Sequence, residues 1–120
     1  MDAFRAFSPA LLSNLAQNVV SSVLTTGSDG RMRLPQGLEL LMQRTPDGCH
    51  RHRWRLALAR EDRDPSPEEI DACREAFHIP PAAFERHVVQ WRVHPKSLRR
   101  IHYHVVELSW FDATQRNSAL

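Results

Sequence analysis

Three arginines occupy alternate positions near the middle of the chain, at Arg51, Arg53 and Arg55. Alternate residues of a β-strand point to the same face of a sheet, so a strand here would place three guanidinium groups side by side. Guanidinium groups bind phosphate oxygens through paired, charge-assisted hydrogen bonds. The chemistry that this spacing favours is therefore the binding of an anion.

A second basic segment follows further along the chain. From Arg86 to Val106 the sequence has neither aspartate nor glutamate, and it contains the only tyrosine, Tyr103, a ring that can stack on an unpaired base. We expect an arginine-rich sheet face and a basic hairpin loop that together bind the backbone of DNA or RNA. The residues predicted to form this surface are Arg51, Arg53, Arg55, Arg92, Lys96, Arg99, Arg100 and Tyr103.

Two pairs of histidines suggest a second chemistry. His50 and His52 form one pair and His102 and His104 the other, and each pair would place two imidazoles on one face of a strand. Imidazole nitrogens are common ligands of zinc. Each pair begins its strand, so antiparallel strands would hold the two pairs at opposite ends of the sheet. A histidine-based zinc site is thus the alternative prediction for a cofactor, and the sequence predicts no other.

The segment from Ile101 to Val106 reads IHYHVV and resembles the motif of HUH nicking enzymes and relaxases. The resemblance implies that His102 and His104 bind the metal that polarises a scissile phosphate. Enzymes of that family attack with a tyrosine from a helix, whereas Tyr103 lies in the middle of the motif and faces the other side of the strand. Without a nucleophile the nicking reaction has no route, so we predict no nuclease.

Other catalytic motifs are missing from the sequence. The four glycines are scattered among turns instead of forming a phosphate-binding loop, and no serine lies in a nucleophile-elbow motif. Cys73 falls on the apolar stripe of a predicted helix and Cys49 lies beside a turn, so both are expected to be buried free thiols. The sequence therefore favours a binding protein over an enzyme.

Seven carboxylates lie between Glu61 and Glu75, in contrast with the basic segments on either side. Such separated charge suits a charged partner or a second copy of the chain, in which the acidic helix of one copy meets the basic hairpins of the other. The first predicted helix, apolar on one side and almost uncharged on the other, is a further surface for self-association. A homo-oligomeric assembly or regulatory protein is therefore the alternative to nucleic-acid binding.

The elements that must position these residues follow from the spacing of apolar side chains. Residues 7–26 are predicted as a helix, with Ser8 as the cap and Pro9 at the first helical position. A second helix is predicted to begin at the capping box Ser66 to Glu69. Alternating or continuous apolar residues predict strands at 38–43, 49–60, 86–93 and 101–111.

The resulting order of helix, strand, strand, helix, strand, strand predicts a single α+β domain over residues 1–120. It contains the helix at 7–26, a ββαββ core at 37–111 and a polar tail at 112–120. We expect a two-layer sandwich in which two helices cover one face of a four-stranded, mostly antiparallel sheet.

The alternation within each strand also predicts which side chains point toward the helices. Trp54, Val89, Trp91 and Val93 are expected to face inward and the strand arginines outward.

No apolar run approaches the roughly 20 residues that span a bilayer, and the start of the chain lacks the basic and apolar segments of a secretion signal. A hydrophobic fraction of 42% and a charged fraction of 25% are typical of globular proteins. We therefore expect a cytoplasmic protein with no membrane partner.

Overall fold

The computed structural model describes residues 9–34, 37–48, 51–61 and 63–112. These residues form two helices and five strands. In chain order they are α1 (Pro9–Thr26), β1 (Gly30–Arg33), β2 (Glu39–Pro46), β3 (His52–Arg60), α2 (Pro67–Ala76), β4 (Phe84–Val93) and β5 (Arg100–Phe111).

The five strands make one antiparallel sheet in the order β1-β2-β3-β5-β4. The predicted α+β class is confirmed. Strand β5, apolar on both faces, lies between β3 and β4, as expected for an inner strand.

The predicted number of strands is wrong, because residues 30–33 form a fifth strand at a position where the sequence predicted none. Strand β1 pairs with β2 and contributes one apolar side chain, that of Met32, to the core. At Gly30 a Cβ atom would lie 2.9 Å from Val19 and 3.0 Å from Val23, so α1 packs directly against this glycine. A four-residue strand with a single apolar residue carries no periodicity that a sequence pattern can detect.

The core lies between the helices and one face of the sheet. Its centre is formed by Leu56, Leu58 and Leu108, whose side chains are fully buried, and Trp54 is buried beside them. Helix α1 contributes the apolar stripe that the sequence predicted. Its buried members are Leu12, Ala16 and Val23. The apolar stripe of this helix is therefore used within the chain, whereas Leu11 and Leu24 remain exposed.

Helix α2 begins where its capping box predicted. The Ser66 side chain accepts a hydrogen bond from the Glu69 backbone, and the Glu69 carboxylate accepts one from the Ser66 backbone at 2.8 Å. The same carboxylate binds the buried Arg60 at 2.9 Å and Arg63 at 3.2 Å. Glu69 thus joins the start of α2 to the end of β3, which fixes the helix on the sheet.

Candidate nucleic-acid interface

The open side of the sheet carries arginines. Because Trp54 points into the core, its neighbours Arg53 and Arg55 point to solvent, as predicted. The register of the strands places four more arginines on this side. The arginine face, as we call it, comprises Arg31, Arg33, Arg53, Arg55, Arg86 and Arg92.

Two glutamates on this face each lie between two arginines. Glu39 is 3.3 Å from both Arg33 and Arg92. Glu107 is 3.6 Å from Arg55 and 2.6 Å from Arg86. Six arginines and two glutamates leave the strand residues of this face with a net charge of +4, whereas the whole chain carries +2. Positive charge is therefore concentrated on the side of the sheet opposite the helices.

The contact between Arg92 and Glu39 shows that the sheet curves toward this face. Glu39 lies on β2 and Arg92 on β4, three strand spacings away and four residues further along the strand. On a flat sheet their Cα atoms would therefore be about 19 Å apart. Extended arginine and glutamate side chains do not reach that far together. The curvature creates a central groove of about 200 Å³ with small side chains at its floor, among them Ala57, Ala59 and Val105.

A larger cleft, of about 650 Å³, opens at the end of the face where β4 begins and β5 ends. Two phenylalanines line it with much of their rings in solvent, since Phe84 is 64% and Phe111 45% exposed. Arg51 lies over the Phe111 ring at 3.9 Å, and Arg53 donates a hydrogen bond to Ser109 at 3.2 Å. This aromatic cleft combines exposed rings with guanidinium groups.

The structure brings together five of the eight predicted binding residues, Arg51, Arg53, Arg55, Arg92 and Tyr103, on or beside the arginine face. The other three, Lys96, Arg99 and Arg100, lie exposed at the turn between β4 and β5. The Tyr103 ring is covered by the Arg92 guanidinium at 4.2 Å.

Sequence reasoning missed the contribution of Phe84 and Phe111. Arg31 and Arg33 were missed with strand β1. The same alternation of side chains that predicts Arg53 on the open side of the sheet also predicts Phe111 there, so the position of Phe111 could have been inferred from the sequence. Phe84 precedes the predicted start of its strand, and nothing local indicates that it would lie near Phe111.

Of the predicted zinc ligands, three lie within the described residues, and the strands that carry them are antiparallel. His52 begins β3 at one end of the sheet, whereas His102 and His104 lie near the start of β5 at the other. His52 contacts Arg44 at 3.2 Å and His104 contacts Asp64 at 3.0 Å. His50 lies outside the described residues. In the ranges that the structure describes, no three histidine, cysteine or carboxylate side chains are placed to hold one metal ion.

Cys73 has the features of a structural thiol. It lies in the core between α2 and the sheet, and burial, with the charge of Glu69 as a smaller cause, raises its pKa to about 12. A thiol in this state is protonated at neutral pH and is a poor nucleophile. Cys49 lies outside the described residues.

Comparisons of the chain with protein-family models, with curated proteins and with solved structures find no match. Among the described residues, neither helix has the length and apolar character needed to cross a membrane.

Proposed function

We propose that this protein binds single-stranded nucleic acid on its arginine face. The observation that carries the proposal is the aromatic cleft, in which the exposed rings of Phe84 and Phe111 lie beside Arg51 and Arg53. Proteins that bind single strands combine a positive groove for the phosphates with aromatic rings on which bases stack. In a duplex the base faces are already stacked on each other, so exposed rings favour an unpaired strand.

The basic residues support a polymer as the ligand in preference to a small anion. Strand β5 runs for twelve residues, about 40 Å, from the basic turn that contains Lys96 and Arg99 to the aromatic cleft at Phe111. Positive side chains lie at both ends and along the arginine face between them. A chain of several phosphates can contact these groups at once, which a single small anion cannot.

Arg53 provides the sharpest test of the arginine face. Among the described residues its guanidinium binds a serine hydroxyl and no carboxylate, so a reversal of its charge breaks no ion pair there. We expect Arg53→Glu to weaken binding of a fluorescent single-stranded oligonucleotide by about tenfold or more, the size of one charged hydrogen bond. The slope of log affinity against log salt should fall by about 0.7 for each phosphate that the variant no longer neutralises. Fluorescence anisotropy between low and moderate salt measures both quantities.

A matched control separates this surface from the effect of net charge. The pair Asn14→Glu and Ser21→Glu lies on the exposed side of α1 and changes the net charge by the same amount as Arg53→Glu. The control should retain most of the affinity. Equal losses in both variants, or no binding by the wild type at low salt, would show that the arginine face is not the binding site.

Self-association is a second candidate function, and a different observation favours it. Strand β4 lies at the edge of the sheet, and most of its side chains are exposed. This strand is far from the N-terminal helix that the sequence suggested as a contact surface.

A further inference from the structure

Strand β4 is an unusually open sheet edge. It is ten residues long, pairs with β5 on one side and has no strand on the other among the described residues. Edge strands of monomeric proteins are commonly short, bulged or interrupted by proline or lysine, because free backbone groups attract another strand. Strand β4 contains neither proline nor lysine. Its free edge is therefore able to continue the sheet.

The side of β4 that faces the helix layer carries an apolar patch. Val89 and Trp91 are each 57% exposed and Val93 is 62% exposed. The sequence predicted these three residues as inward, and the pairing with β5 does place them on the same side of the sheet as the buried Leu108. They are nevertheless exposed, because the helices do not extend over this half of the β4–β5 hairpin. Three exposed apolar side chains that are neighbours on one side of a strand are a typical feature of an interface.

We propose that two copies of this protein pair through their β4 edges in antiparallel orientation and form one continuous sheet. The two-fold axis is then perpendicular to the sheet, as antiparallel pairing of two identical strands requires. Each copy places the apolar half of its hairpin beside helix α2 of the other copy, because α2 lies next to the start of β4. Arg74 of α2 binds Glu85 of β4 at 2.9 Å, which fixes that position.

Charge complementarity identifies a second copy as the occupant. The far end of the hairpin is basic, with Lys96, Arg99 and Arg100 all exposed. The outer side of α2 is acidic, and its exposed carboxylates are Glu68, Asp71 and Glu75. In the antiparallel arrangement the basic end of each hairpin approaches the acidic helix of the other copy, so the same attraction occurs twice.

The size of the surface also fits a dimer. A standard interface buries about 800 Å² on each partner. Trp91 is 57% exposed, so it can supply roughly half of the 150–250 Å² that a fully buried tryptophan contributes, and two valines, the strand edge and the outer side of α2 add to it. The central position of Trp91 in the apolar patch is typical of the residues that dominate binding energy.

This dimer leaves the arginine face free. Because the two-fold axis is perpendicular to the sheet, both arginine faces point to the same side. A long single strand can therefore contact both copies, which raises its apparent affinity without any new type of contact.

The test is the mass of the protein in solution, measured by sedimentation equilibrium over a range of concentrations. We expect the wild type to show twice the mass of one chain, and Trp91→Glu to raise the dimer dissociation constant by about thirtyfold or more. Leu24→Glu places the same charge on an exposed leucine of α1 and should leave the dimer intact. A wild type that stays monomeric at every concentration, or a Trp91→Glu variant that remains a dimer, would overturn the proposal.

A charge exchange tests the contact between copies. Because the Arg100 guanidinium lies 5.2 Å from the Trp91 ring of its own chain, rescue by the double variant, and not the effect of Arg100→Glu alone, is the decisive result. Arg100→Glu and Glu75→Arg should each weaken the dimer severalfold, and the two together should restore it. Within one chain, Arg100 pairs with Val93, eight residues and about 26 Å along β4 from Glu85 beside α2, so rescue requires a contact between copies. Absence of rescue would overturn the proposed arrangement.

Discussion

Replacing Phe84 and Phe111 together by alanine is expected to reduce the affinity for a single-stranded oligonucleotide by about 2–6 kcal/mol. The estimate counts one stacked base on each ring at about 1–3 kcal/mol. Because Phe84 is 64% and Phe111 45% exposed, their loss should leave the fold intact and lower the free energy of unfolding by only about 1–3 kcal/mol. Fluorescence anisotropy on the double variant, with circular dichroism to confirm folding, measures this effect.

Two comparisons show whether stacking is the cause. Leu24→Ala removes an exposed apolar side chain from α1, on the helix side of the sheet, and should have no effect on binding. A duplex of the same sequence should lose much less affinity than the single strand when both phenylalanines are removed. If the double variant binds the single strand as tightly as the wild type does, the aromatic cleft has no role in binding.

Glu69→Ala is expected to lower the free energy of unfolding by about 3–5 kcal/mol. It removes a carboxylate that binds the buried guanidinium of Arg60 at 2.9 Å, and loss of one partner from a buried ion pair has a cost of this size. The substitution also removes half of the capping box at the start of α2. Denaturation by urea, followed by circular dichroism, gives the change in midpoint and in unfolding free energy.

Glu68→Ala is the matched control for this prediction. Glu68 is the neighbouring carboxylate in the first turn of α2, and its side chain is exposed. Its removal should cost no more than about 1 kcal/mol, the upper end of what a charge near a helix terminus contributes at an exposed position. Similar losses for the two variants would mean that the ion pair with Arg60 does not hold α2 on the sheet.

The elements with strong local signals were predictable from the sequence. The capping box at Ser66 fixed the start of α2, and the alternation around Trp54 correctly placed Arg53 and Arg55 on the open side of the sheet. These signals are local because capping and alternation depend on residues a few positions apart.

Features that depend on how far one layer extends over another were not predictable. The alternation in β4 shows that Val89, Trp91 and Val93 share a side, but it carries no information on where the helices end. The aromatic cleft could not be predicted either, because Phe84 and Phe111 lie in segments that only the pairing of β4 with β5 brings together. Strand β1 depends on β2 for its pairing and offers little pattern of its own.

The ion pairs of the two glutamates on the arginine face could not be predicted from the sequence. The alternation of the strands is enough to place Glu39 and Glu107 on the same face as the arginines. It gave no indication that each carboxylate would lie between two arginines, because Arg33, Arg86 and Arg92 come from other strands. These ion pairs hold four guanidinium groups in position and leave Arg31 and Arg53 without a carboxylate partner among the described residues.

The central claim is that the ligand binds the open side of the sheet, and methyl NMR during titration with a single-stranded oligonucleotide tests it most directly. Strand β3 supplies matched probes, since the Ala57 methyl faces the central groove while the Leu56 methyls lie in the core on the other side. We expect a large shift at Ala57 and small shifts at Leu56 and at Leu24 of α1. Shifts concentrated on α1 and α2, with none at Ala57, would contradict the account.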